Sequence, residues 1–227
     1  MKTTKKIYGL APALPVALAA GFVSACSWPA AAADMDYNAD SYTGGIYFGA
    51  DAGPAILQNI ISQGSVTKFD VGLRVDLNLG YNINQNFAVE LQTGLAFNSF
   101  SSVDGVPASN FSYNEYVWSV PVMLNGIYKH SFNDHWQVYG GLGAGVLIST
   151  LDQWDPLTTS TSSTDSTFGY QAMFGIKYVF GRHAEVGLGY NFLGSLDHHW
   201  DSTLAGPGIT TSPTYLHSIL LNFTYKF

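Results

Sequence analysis

The stretch Tyr215-Leu216-His217-Ser218-Ile219-Leu220-Leu221-Asn222-Phe223-Thr224-Tyr225-Lys226-Phe227 decides how the whole chain is read. Tyr215, Ile219, Leu221, Phe223, Tyr225 and Phe227 share one parity; Leu216, Ser218, Leu220, Asn222, Thr224 and Lys226 share the other. A period of two is the mark of a strand, because successive side chains leave opposite faces of the pleat. One face here is greasy and aromatic, the other mostly polar.

Working back from the C-terminus, the same period recurs. Val66–Tyr81 sets Phe69, Val71, Leu73, Val75, Leu77, Leu79 and Tyr81 against Asp70, Gly72, Arg74, Asp76, Asn78 and Gly80. Phe168–Phe180 and Ala184–Leu193 alternate as cleanly, and Gly45–Pro54, Phe87–Phe97, Glu115–Tyr128 and Trp136–Leu147 follow less strictly. The pattern predicts eight strands, each long enough for the roughly 9–11 residues of a tilted membrane crossing. Short polar joins (Asn82–Asn86, Lys129–His135, Gly181–His183) alternate with long ones (Ala55–Ser65, Asn98–Asn114, Ile148–Thr167, Gly194–Pro213). Turns on one side of a membrane and longer loops on the other give that beat. The long joins, rich in Ser, Thr, Asp and Gly, read as irregular, mobile outer loops.

Composition agrees. Charged residues make up 11% of the 227, against about 25% in an ordinary soluble domain, while aromatics reach 15% and there are 24 glycines. Beyond the N-terminus no run approaches the ~18 apolar residues of a membrane helix. A water-soluble enzyme and a helical membrane protein are both poor fits. An all-β chain whose outer face meets hydrocarbon must close on itself, since lipid satisfies no backbone N–H or C=O. The expected fold is an eight-stranded antiparallel up-and-down transmembrane β-barrel.

Charge placement supports the sorting. Asp51, Asp70, Arg74, Asp76, Glu90, Glu115, Lys177, Glu185 and Lys226 all fall in the phase predicted to face the lumen. A charge on the lipid side near the midplane would cost roughly 2–4 kcal/mol, least for acids. Buried charges persist when paired, so a salt-bridged lumen with Arg74 as a central partner is expected, with acids in excess. Rings fall at the strand ends on the outward phase: Tyr81, Phe87, Tyr128, Trp136, Tyr178, Phe180, Tyr225 and Phe227 form a lower belt. Phe69, Phe97, Tyr116, Trp118, Phe168, Tyr170, Phe192 and Tyr215 form an upper one. Two belts at headgroup level are what a bilayer selects. Pro121, inside a strand, removes a ladder donor and predicts a bulge or coiled stretch, and the inward glycines from Gly141 to Gly189 relieve crowding.

Lys2, Lys5 and Lys6 followed by an apolar segment and Ala30-Ala31-Ala32-Ala33 read as a signal peptide, with cleavage after Ala33. Val23-Ser24-Ala25-Cys26 also resembles a lipobox, in which Cys26 would carry a lipid; both processing routes stay open. The expected organisation is 1–33 signal peptide, 34–42 periplasmic lead-in and 43–227 barrel. Without the leader, six basic and sixteen acidic residues remain, a net charge of −10. That excludes a nucleic-acid binder, which needs a basic face.

The body resembles the small outer-membrane β-barrel family of OmpA/OmpX-like and opacity-type porin-family proteins, over Tyr42–Phe227. The resemblance rests on Leu221-Asn222-Phe223-Thr224-Tyr225-Lys226-Phe227, similar to the terminal signal read by outer-membrane assembly machinery, and on Val120-Pro121-Val122-Met123-Leu124. It implies residence in the outer membrane of a Gram-negative-type bacterium, contact with membrane lipid and lipopolysaccharide, and recognition by the assembly machinery through Phe227.

Site chemistry is sparse. A lipid-facing hydrolase needs Ser, His and an acid together, but the neighbours His217 and Ser218 lie on opposite faces. Asp197-His198-His199-Trp200-Asp201, with His217 across the last loop, is the densest group of metal-capable side chains, yet lacks a typical ligand spacing and reads as a polar loop base. No catalytic, cofactor or metal residue is assigned, and no cofactor is expected. An eight-stranded barrel is just wide enough for its own side chains. The expected function is therefore a non-enzymatic structural or surface-interaction scaffold presenting four outer loops to an unidentified partner. The alternative is a narrow, cation-leaning pore.

Overall fold

The computed structural model describes residues 45–62, 64–110, 114–154, 160–203 and 206–227. The expected signal peptide and lead-in lie outside the described residues. Thirteen strands follow in order: β1 (Gly45–Leu57), β2 (Ile60–Ser62), β3 (Ser65–Phe69), β4 (Gly72–Asn82), β5 (Phe87–Val103), β6 (Val106–Pro107), β7 (Asn114–Ser131), β8 (Trp136–Trp154), β9 (Ser160–Phe180), β10 (Ala184–Ser195), β11 (His198–Thr203), β12 (Gly206–Thr211) and β13 (Tyr215–Lys226).

Eight of them make the barrel. Each pairs antiparallel with its neighbour in the series β1, β4, β5, β7, β8, β9, β10, β13. Closure comes from β13 against β1, with Tyr47 opposite Lys226 and Leu57 opposite Leu216. No edge strand remains at membrane level, as lipid demands.

The predicted sorting holds in the band. Leu79, Leu91, Leu124, Leu142, Leu188 and Leu221 face outward, each at least half exposed. On a soluble protein so much contiguous apolar surface would be a liability; here it is the lipid-facing wall. Both aromatic belts form, and their rings pack on one another. Phe87 meets Tyr128 at 5.2 Å and Trp136 meets Tyr178 at 5.1 Å below. Above, Phe97 lies 4.5 Å from Trp118 and Phe192 lies 5.9 Å from Tyr215.

Four expectations need correction. The segment Val66–Tyr81 is two strands, β3 and β4, with a register shift between Lys68 and Phe69. Phe69 leaves the upper belt and turns inward against the apolar mouth of the barrel, 4.8 Å from Phe100. Asp70 then points to solvent instead of the lumen. Burying a phenyl ring there outweighs strict alternation. The described parts of the long joins are ordered hairpins, not irregular loops: β8 and β9 run on to pair Trp154 with Ser160. Thr and Ser suit that ladder, as in the Thr150–Thr164 hydroxyl pair at 2.9 Å.

Pro121 makes no bulge. The β5–β7 register runs unshifted on either side of Gly94 and Leu95, which would face Pro121 and Val120, and the ladder skips those two steps. The fourth correction concerns Lys129, placed by sequence in a turn: it is 3% exposed and inside the barrel. Glycine has a specific task at Gly80, where an added Cβ would fall 2.0 Å from the Tyr47 ring. That gap makes room for the buried Tyr47 ring at the lower end of the lumen.

Candidate functional site

The inward face divides into layers. At the short-turn end, Tyr47, Ala88, Ile127 and Met173 form a small apolar floor. Lys129 sits there with its ammonium 4.4 Å from the Tyr47 ring centre and donates to Asn82 Oδ1 at 2.8 Å. Such a cation gains from the ring face as well as from its amide partner.

A polar layer fills the middle. Arg74 and Asp76, neither with any exposed side-chain surface, pair Nε to Oδ2 at 2.8 Å. Arg74 Nη1 donates to Asn191 Oδ1 at 3.1 Å, and Gln92 Nε2 donates to Asp76 Oδ2 at 3.3 Å. Gln171 joins the two sides, donating to Gln92 Oε1 at 2.6 Å and accepting from Asn191 Nδ2 at 3.3 Å. Asp51 accepts from Asn78 at 2.6 Å and from Asn222 at 2.8 Å. Glu90 accepts from Tyr47 Oη at 2.9 Å and from Asn125 at 3.3 Å. Glu185 takes Lys177 at 3.4 Å and is also paired with Lys226. Low-dielectric surroundings make each such pairing strong and each omission costly.

Arg74 is thus a central partner, as expected. Of the six acids expected inside, Asp70 lies outside and the side chain of Glu115 is outside the described ones, while Lys129 adds a base. Among the described residues Arg74, Lys129, Lys177 and Lys226 meet Asp51, Asp76, Glu90 and Glu185, a balanced set.

The long-hairpin end has a different chemistry. Hairpin β11–β12 is a separate two-stranded sheet over the mouth, and alternation along β11 turns His198 and Trp200 inward and His199 outward. The candidate metal group is thereby dispersed. His199 Nδ1 pairs with Thr210 Oγ1 at 3.0 Å. His217 lies on the outer wall with Tyr190 Oη at 2.6 Å and Gln58 Nε2 at 2.8 Å. The side chain of Asp201 is outside the described ones. No group of three or more metal-capable side chains forms among the described residues.

His198 instead gathers partners invisible to local reading. Its Nδ1 lies 3.0 Å from Asp165 Oδ2, and its Nε2 lies 3.1 Å from Ser195 Oγ and 3.2 Å from Thr214 Oγ1. Burial pushes the imidazole below its usual range, with the Asp165 hydrogen bond and charge opposing. Ser195, His198 and Asp165 have the spacing of an acyl-transfer triad. Ser195, however, has no exposed surface, and its hydroxyl also contacts Thr214 Oγ1 and the Leu196 carbonyl. No face of the hydroxyl is open to a substrate, so the geometry describes a latch between the hairpin and the barrel.

Comparison with known proteins gives one fold. Neisserial surface protein A, in a crystal structure, is 15% identical, with a TM-score of 0.55 over 82% of this chain and 100% of that one. OprG of Pseudomonas aeruginosa is 17% identical, with a TM-score of 0.53 over 82% of this chain and 97% of that one. AlkL, solved in lipid bilayers, is 17% identical, with a TM-score of 0.53 over 86% and 97%. No curated protein matches the chain. The family model described as the outer membrane protein beta-barrel domain matches residues 18–227. With its closed barrel, lipid-facing wall and paired lumen, the chain is an integral outer-membrane protein and belongs to that family.

Proposed function

We propose that this protein is a non-conducting, non-enzymatic scaffold that holds four extracellular hairpin extensions to a partner outside the cell. The observation that carries the reading is the continuous side-chain network across mid-lumen, from Asn191 through Gln171, Gln92 and Asp76 to Arg74. Every member is buried, so an ion entering would displace paired groups. Among the described inward side chains four bases face four acids, which gives no support to a cation-leaning pore. Length and polarity of the β8–β9 extension support the surface role, because binding residues concentrate on connections held by a rigid frame. Phe227, exposed beside Tyr225 at the lower belt, is the handle proposed for the assembly machinery, and the outer wall is the proposed lipopolysaccharide contact. Single-channel recording in planar bilayers at physiological salt tests the reading: silence is expected, and steady open channels would overturn it.

A further inference from the structure

The extracellular end of the lumen is unusual for a surface near water. Inward positions that are polar in mid-barrel become apolar above it, with Leu57, Ala96, Val117, Leu147, Leu193 and Leu216 all buried. They line a cavity of about 30 Å³, room for a water at most. Asn98, Ser119, Ser149, Thr214 and His198 supply its hydrogen-bonding groups, and no Asp, Glu, Lys or Arg lines it. Concave, mostly apolar sites with a few convergent polar groups are where small molecules bind, and barrel mouths are among their usual places.

Trp200 closes the cup. It is 6% exposed and packs on Val117 and Leu151. Among the described residues its indole N–H reaches Thr211 of its own hairpin, at 3.4 Å. The hairpin is held to the rest of the protein by discrete ties, not by a shared ladder. Ser212 N donates to Ile61 O at 3.0 Å, Ser62 Oγ donates to Thr210 O at 3.2 Å, and His199 N donates to Asp165 Oδ2 at 3.0 Å. Further ties among the described residues are Ile61 N donating to Ser212 Oγ at 3.2 Å and the His198 latch. Releasing these few bonds carries the indole away with the hairpin and leaves a ring-sized apolar space.

We infer that this cup is a binding site for a small, uncharged molecule, one aromatic ring in size with a single hydroxyl or carbonyl group. Hairpin β11–β12 is its lid, and Trp200 holds the ring's place when the site is empty. The size follows from the indole that is displaced. The polar group follows from the hydroxyls of Ser149 and Thr214, and a charged ligand is disfavoured because an unpaired charge in this lining would be uncompensated.

The test uses the full barrel in lipid nanodiscs, titrated with p-cresol, with isotope-labelled tryptophan followed by NMR. The Trp200 indole signal is identified by its loss in Trp200→Phe. Expected is a saturable movement of that signal, with Trp136 at the opposite end unmoved. Ala96→Phe and Leu147→Trp fill the cup and each weaken binding by about tenfold or more; heat-dependent gel mobility shows which variant is folded. A wild-type signal that does not move, moves linearly without saturation, or moves equally in a folded filled variant overturns the proposal. So does binding to Trp200→Ala but not to the wild type, which would mark an engineered void.

Discussion

Replacing Arg74 by methionine probes the lumen at its centre. Arg74 and Asp76 are both without exposed side-chain surface and pair at 2.8 Å. Removing the guanidinium leaves the Asp76 carboxylate buried with one long bond, from Gln92 at 3.3 Å. Breaking a buried pair on one side costs about 3–5 kcal/mol, because the surviving charge has lost its compensation. Asn191 Oδ1 also loses its 3.1 Å donor. Replacing both partners by apolar groups of similar volume is near neutral by the same argument. Arg74→Met should therefore be destabilised by about 3–5 kcal/mol, whereas Arg74→Met/Asp76→Leu should recover to within about 2 kcal/mol of the wild type. Urea unfolding from phospholipid vesicles, followed by tryptophan emission, measures both. An Arg74→Met barrel within about 1 kcal/mol of the wild type would refute the reasoning, since water would then be reaching the guanidinium.

Four further outcomes follow from the same structure. Gly80→Ala drives a methyl into the Tyr47 ring at 2.0 Å and should cost about 1–3 kcal/mol in that unfolding assay. Gly126→Ala, with nothing within 4 Å, should stay within about 0.5 kcal/mol. Docking of the β11–β12 hairpin should weaken on acidification: His198 is held below its ordinary value of about 6.5, so only the undocked state takes up a proton readily as pH falls from there. Asp165, Asp197 and His199 are the charged and titratable groups facing it. Protection of Trp200 from hydrogen exchange, taken relative to the intrinsic rate at each pH, should be lower at acidic than at neutral pH, and equal protection would count against the latch. Asp104 sits at φ 48° in the turn after β5 and receives Ser65 Oγ at 2.6 Å and the Val66 amide at 2.7 Å. These bonds hold its carboxyl below the usual range. The turn should therefore stay protected at the ordinary aspartate value of about 3.9 and loosen only on further acidification; loosening already at neutral pH would exclude this.

Much of this was legible from alternation alone. The inward phase placed Arg74, Asp76, Glu90, Lys177 and Glu185 correctly, because lipid tolerates no other arrangement. The same parity, carried one step past Tyr128, reaches Lys129, and carried back from Asp51 it reaches Tyr47; both were available signals. Phe69 was not legible. Its outward parity is broken by a local shift that only packing at the mouth explains. Nor could local pattern find the latch, since Asp165 and His198 are 33 residues apart in sequence and meet only because the last long join folds back as a hairpin. Ser and Thr in the long joins read as loop composition, although Thr in particular is comfortable in a ladder.

Closure is tested most directly between the first and last strands. In isotope-labelled protein embedded in nanodiscs, cross-strand backbone NOEs should connect β1 to β13, with Phe48 facing Tyr225, Ala50 facing Phe223 and Ala52 facing Leu221. The amides of both strands should be protected from exchange. Absence of those NOEs in a folded sample, with both strands exchanging as free edges, would contradict the barrel.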